Sequence, residues 1–135
     1  MSLSEVERNE VVKYRLEKAN STFAEIDILI KNKFFRNAAN RLYYACYYAA
    51  TALLINGGYE THSHKGVISM MSLHFFKENK IEKSYSKIYD NLFRMRLTGD
   101  YDDFVFINEE DIKPFIEPSK EFIKTIEKLI NQNTL

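Results

Sequence analysis

The stretch Arg96-Leu97-Thr98-Gly99-Asp100-Tyr101 gathers a guanidinium, a carboxylate and a phenol within six residues. On a helix that ends at Gly99, Arg96 borders the core with its stem and carries its head to the helix end, where Asp100 and Tyr101 follow. A guanidinium placed there can clamp a phosphate through two parallel hydrogen bonds, and a phenol beside it can donate a proton or be modified. The same spacing suits a structural role, in which Arg96 bonds the last carbonyls of its own helix and pairs with an aspartate. A second polar group, Arg41, Tyr44 and Tyr48, recurs at steps of three and four, with Arg36 and Asn40 on the turn before. It reads either as a pocket shared with the end of the Arg96 helix or as one buried ion pair with core tyrosines around it.

His62 and His64 stand two apart, and His74 lies further on. Two histidines at that spacing reach one metal only in an extended loop, and no third ligand is suitably spaced, so neither metal nor cofactor is expected. His64 is instead placed at a helix start or at a pocket mouth. The single cysteine, Cys46, sits in an apolar stretch as a small core residue and cannot form an internal disulfide. No serine has an activating context, and no Gly-rich phosphate loop is present.

Helices must position these groups. Residues 35 to 56 are apolar or aromatic nearly all round, with Leu42, Cys46, Ala49 and Leu53 on one face and Tyr43, Tyr47, Ala50 and Leu54 on the next. Such a helix is surrounded by others, which makes it the centre of an all-α domain. Before it, Ser4 and Glu7 form a capping box opening a helix over residues 2 to 31, whose seam Val12, Leu16, Ala19, Phe23, Ile26 and Ile30 ends at a turn over Lys31 to Lys33. After Gly57 and Gly58 comes a polar loop from Tyr59 to His64, then a third helix from about Lys65 that fades at Glu78. A fourth runs from about Lys83 to Gly99 and leads into the acidic loop Asp100 to Asp103. Asn108 caps a fifth helix, in which Pro114 and Pro118 predict a kink or two pieces. The expected architecture is an up-and-down four-helix bundle with an additional short or kinked helix.

The 135 residues suffice for one domain, 1–135, with a real core. Nineteen basic and nineteen acidic side chains cancel, so no global field draws in nucleic acid or an acidic membrane, and any such contact is local. The N-terminus lacks a signal-peptide core, and residues 45 to 55 are too short to span a bilayer, so no membrane association is expected and the chain reads as cytoplasmic. Nine tyrosines and ten phenylalanines exceed what one such core hides, which predicts pairing through surface aromatic patches.

Three pieces in order, Arg41-Leu-Tyr-Tyr-Ala-Cys-Tyr-Tyr-Ala-Ala, His64-Lys-Gly-Val-Ile-Ser and Arg96-Leu-Thr-Gly-Asp-Tyr-Asp-Asp-Phe, resemble the HEPN superfamily, and within it the small stand-alone proteins of bacteria and archaea. The resemblance spans nearly the whole chain. It implies a helical bundle that pairs as a homodimer, often encoded beside a minimal nucleotidyltransferase, and many relatives are metal-independent ribonucleases or toxins of toxin-antitoxin and defence systems. Their signature is an arginine, a polar residue, then a histidine after a gap of four to six. Arg96 matches the arginine, Leu97 replaces the polar residue, and Tyr101 stands at the histidine position. A phenol with a pKa of about 10 is a poor general base near neutrality, where an imidazole at about 6.5 serves well.

The expectation is therefore a homodimer that binds a nucleotide or RNA segment through Arg96, Asp100, Tyr101, Arg41, Tyr44 and His64 and works with a nucleotidyltransferase partner. One alternative is a metal-independent endoribonuclease toxin with Arg96 and Tyr101 as catalytic candidates, Tyr101 replacing the histidine. A purely structural helical adaptor is the other. In toxin-antitoxin relatives the transferase can place a nucleotide on a tyrosine near the arginine motif, which makes Tyr101 a candidate acceptor.

Overall fold

The computed structural model describes residues 3–103 and 105–132. Its elements in chain order are α1 (Glu5–Ala24), α2 (Ile26–Lys31), α3 (Phe35–Asn56), α4 (His64–Met71, running on through a π-helical turn, Ser72–Phe76), α5 (Ser84–Tyr101) and α6 (Glu109–Gln132). No strand occurs among the described residues. The helix that is apolar on every side is the centre: α3 packs against α1, α5 and α6 and also meets α2 and α4. Ala38, Ala39, Leu42, Ala45, Cys46 and Ala49 are fully buried, and the small side chains let the neighbouring helices approach closely.

The capping box forms as read, with Glu7 N–H donating to Ser4 Oγ at 3.1 Å and Ser4 N–H donating to Glu7 Oε1 at 3.4 Å. The first helix is nevertheless two helices. Regular winding lapses at Glu25, whose N–H donates to the Thr22 carbonyl three residues back, and no glycine or proline marks the change. The fifth predicted helix, in contrast, does not divide: α6 is helical throughout, with Pro114 and Pro118 inside it. The N–H missing at Pro118 would have paired with the carbonyl of Pro114 itself, so the two prolines confine their damage to one strip of the helix. Ile112, Phe122, Ile123, Ile126 and Ile130 hold its inner face in the core.

The end of α5 also departs from expectation. Gly99 does not close the helix, which continues to Tyr101, and Gly99 is not among the positive-φ glycines. Its lack of a side chain serves packing instead, since a Cβ there would come within 2.9 Å of Ile107 Cδ1. The chain past α5 folds against this gap, and Ile107 is buried.

Candidate functional site

Arg96 projects from the inner face of α5 and is 6% exposed. Its guanidinium carbon lies 5.1 Å from the ring centre of Tyr43 and 5.6 Å from those of Tyr44 and Phe93, so three aromatic rings of α3 and α5 enclose it. Cation–π contacts of this kind contribute about 0.5–2 kcal/mol each, which offsets part of the cost of taking the charge out of water. One ion pair reaches it, Nη1 to Asp100 Oδ2 at 3.5 Å, one helical turn on. Nε is buried and has no hydrogen-bond partner among the described residues.

A polar chain leads outward from that ion pair. Asn40 Nδ2 donates to Asp100 Oδ2 at 3.3 Å, and Asn40 Oδ1 accepts from Arg41 Nε and Nη2 at 3.1 and 2.9 Å. Arg41 in turn lies over the Tyr44 ring at 5.3 Å. Asn40, Arg41 and Asp100 border a cleft of about 500 Å³ that Glu25, Leu29, Arg36, Asn37 and Gly99 also line. Asn40 thus joins two arginines through one carboxylate, a role that its spacing in the sequence did not reveal.

His64 opens α4, where Ser63 caps the helix by accepting from Gly66 N–H at 2.9 Å. Its ring lies 4.6 Å from Tyr47 and 5.8 Å from Tyr44, and Nδ1 is 2.7 Å from Tyr43 Oη. Burial, and after it the positive charge of Arg96, hold the imidazole below its usual pKa. Burial likewise raises the Tyr43 hydroxyl far above the ordinary tyrosine value, against the opposing pull of Tyr89 and Arg96. Deeper still, burial pushes the Cys46 thiol up to about 12, which leaves it inert as a nucleophile.

Five of the six residues singled out from sequence therefore form one connected cluster: Arg96, Asp100, Arg41, Tyr44 and His64. Tyr101 does not join it. A step of five residues turns about 140° around a helix, so Tyr101 faces away from Arg96 where Asp100 faces with it. It is 76% exposed, and its side chain makes no hydrogen bond, ion pair or ring contact among the described residues. Rather than standing on a loop, it ends α5. Tyr48 stays with the cluster, its ring 5.9 Å from Tyr44.

The structural role considered for Arg96 falls largely to another residue. Arg36 donates through Nη1 to the Gly99 carbonyl at 2.6 Å and through Nη2 to the carbonyls of Asp102, at 2.9 Å, and Val105. It therefore caps α5 from α3. Only the aspartate pairing remains to Arg96.

The described residues form an all-α bundle whose central helix sets Tyr43 and Tyr44 against an arginine of the facing helix. The HEPN domain profile matches residues 12–129, and the chain belongs to that family. Over 92% of its length it is 35% identical to a UPF0332 protein of Thermotoga maritima, covering 94% of that protein. It is also 31% identical to a Methanocaldococcus jannaschii protein named "Putative toxin MJ0605", over 91% of each chain. A second protein of that organism, "Putative toxin MJ0142", is 28% identical over 89% of this chain and 82% of its own. No helix among the described residues is long and apolar enough to cross a membrane.

Proposed function

We propose that this HEPN protein binds the phosphate of an RNA segment or nucleotide at the Arg96 cluster, acting as a homodimer with a minimal nucleotidyltransferase partner in a toxin-antitoxin or defence system. The observation that carries the reading is the hydrogen-bonding state of Arg96. A guanidinium that is almost wholly buried and that has, among the described residues, one long ion pair and no partner at Nε is a costly arrangement for structure alone and a ready donor for an anion. The toxin designation of the two relatives supports the biological setting. Pairing of two copies is supported by Phe34 and Phe106, which are exposed and line one cleft, and by exposed Tyr101 nearby in sequence. Tyr101, accessible and without partners, suits acceptance of a nucleotide from the transferase better than contact with the bound phosphate.

A second reading, a metal-independent endoribonuclease, is favoured by one observation that shifts its catalytic pair from Arg96 and Tyr101 to Arg96 and His64. When Nδ1–H of His64 donates to Tyr43 Oη, Nε2 is bare and can take the proton of a ribose 2'-hydroxyl while Arg96 holds the phosphate. Single-stranded RNA incubated with the protein in a chelator separates the readings. Binding without cleavage supports the first; cleavage lost in His64→Gln and kept in Tyr101→Phe supports the second; absence of both binding and cleavage overturns both. A light-scattering mass of one chain at micromolar concentration overturns the homodimer.

A further inference from the structure

We propose that the pocket between α1, α3 and the loop before α4 binds a small planar carboxylate, a singly charged acid on one aromatic ring. The proposal does not rest on the reading of Arg96. Neither Arg96 nor Asp100 lines this pocket, and the wholly buried Tyr43 stands between Tyr47 and the Arg96 guanidinium, so the two sites are separate.

Arg15 is the group that calls for an anion. It is half-buried, and no carboxylate lies within ion-pair distance of it among the described residues. Its one side-chain hydrogen bond among them goes to a neutral acceptor: Nη1 donates to Thr51 Oγ1 at 3.3 Å, and that hydroxyl in turn donates to the Tyr48 carbonyl at 2.9 Å. Thr51 is buried, so its hydroxyl is committed and the guanidinium is held against α3. Both residues line the pocket. The bond to Thr51 leaves Nε and Nη2, the side-on edge of the guanidinium, whose two parallel N–H groups match the two oxygens of a carboxylate.

The walls are aromatic and fixed in advance. Tyr47 and Tyr59 line the pocket, with Leu54 and Ile55 as apolar surface beside them. Tyr59 stacks on His74 at 3.9 Å and 17°, its N–H donates to the Leu54 carbonyl at 2.9 Å, and a Cβ at Gly57 would come within 2.8 Å of its Cε2. The His64 ring lies 4.6 Å from that of Tyr47. Rings held by their neighbours lose little conformational freedom when another ring packs against them. The pocket holds about 220 Å³. That is below the roughly 300 Å³ at which drug-sized sites begin, and suits one ring with its substituent.

The charges in the lining select among ions. Two tyrosines and a glutamate are the makings of a cage for an ammonium ion, but the permanent positive charge of Arg15 opposes that ligand. Glu60, exposed in the lining, opposes a doubly charged phosphate more strongly than a monoanion. A planar carboxylate meets both conditions, with two oxygens for one guanidinium fork and a flat body for the tyrosine walls.

The test is calorimetric titration of the full chain with benzoate, with benzamide as its uncharged analogue and cyclohexanecarboxylate as its non-planar one. Benzoate should bind at least about tenfold more tightly than either. Arg15→Gln should weaken benzoate by more than about tenfold. Arg15→Lys keeps the charge and the stem but not the fork; it guards against a folding defect in the first variant and should lose about fivefold or more, with a melting temperature checked against the parent. Arg96→Lys should bind benzoate as the parent does. Benzoate affinity that falls in Arg96→Lys and survives both Arg15 variants overturns the proposal and places the anion at the Arg96 cluster. Benzamide as tight as benzoate overturns it by removing the need for charge, and cyclohexanecarboxylate as tight as benzoate does so by removing the need for a planar ring. No heat of binding at about 10 mM benzoate overturns the site itself and leaves the phosphate reading of Arg96 untouched.

Discussion

Two arginines flank the end of α5 and differ in almost every physical respect. Arg36, half-buried, gives its guanidinium to three backbone carbonyls, those of Gly99, Asp102 and Val105. It satisfies acceptors that a helix end leaves open, and in doing so ties α3 to the segment after α5. Arg96, nearly inaccessible, faces three aromatic rings and one aspartate oxygen and, among the described residues, nothing at Nε. Paired donors hold structure, whereas a preorganised guanidinium with donors to spare is disposed toward a ligand. Proximity to a helix C-terminus therefore does not by itself assign an arginine to capping.

The largest expected effect tests the structural side of this contrast. Arg36→Ala leaves three carbonyls to find water or go without, and should lower unfolding stability by about 2–4 kcal/mol, read from urea melts. Protection of the amides in the last turn of α5 from hydrogen exchange should fall with it. A loss below about 0.5 kcal/mol would remove the structural role and erase the contrast.

Next comes Arg96→Lys, which keeps the charge and most of the stem but not the planar fork. RNA or nucleotide affinity should fall more than tenfold while stability changes by about 1 kcal/mol or less, the reverse of the pattern at Arg36. Arg96→Ala is the less discriminating variant, because it also empties a space among Tyr43, Tyr44 and Phe93 and should destabilise the fold through lost packing. Equal affinity of parent and Arg96→Lys would return Arg96 to a purely structural role.

The contrast was only half legible in the sequence. Helix identity and the central position of residues 35 to 56 follow from periodicity and from the absence of a solvent-facing stripe, both local properties. The break at Glu25 and the unbroken α6 do not, because packing against neighbouring helices settles them and no local residue signals it. Within the site, the step of four from Arg96 to Asp100 and the steps of three and four linking Arg41, Tyr44 and Tyr48 carried over directly to space. Tyr101 was misplaced by treating Gly99 as a helix end; once α5 continues, five residues of winding turn it away. Arg36 capping α5 and Asn40 bridging two arginines are contacts between helices some sixty residues apart, at sequence separations of 63 and 60, which no local pattern encodes.

The smallest expected effect is a pH dependence that one side of the comparison should show and the other should not. The folded protein holds the His64 imidazole below its usual value, first by burial and then through Arg96, while in the unfolded chain the group titrates near 6.5. Between those two values the unfolded chain binds more protons, so folding stability is full above about pH 7.5 and declines as pH falls through about 6.5 toward the folded pKa, below which this group causes no further loss. His64→Gln should flatten that part of the profile. A phosphate-bearing ligand at Arg96 should also shrink the decline, since its negative charge favours the protonated imidazole beside it. The contacts of Arg36 are to backbone carbonyls, which do not titrate, so the stability lost in Arg36→Ala should be the same at pH 5.5 as at pH 8. Urea melts of the parent and both variants across that range test the pair together. A decline that persists unchanged in His64→Gln would place the responsible proton elsewhere and leave the lowered pKa of His64 without consequence for the fold.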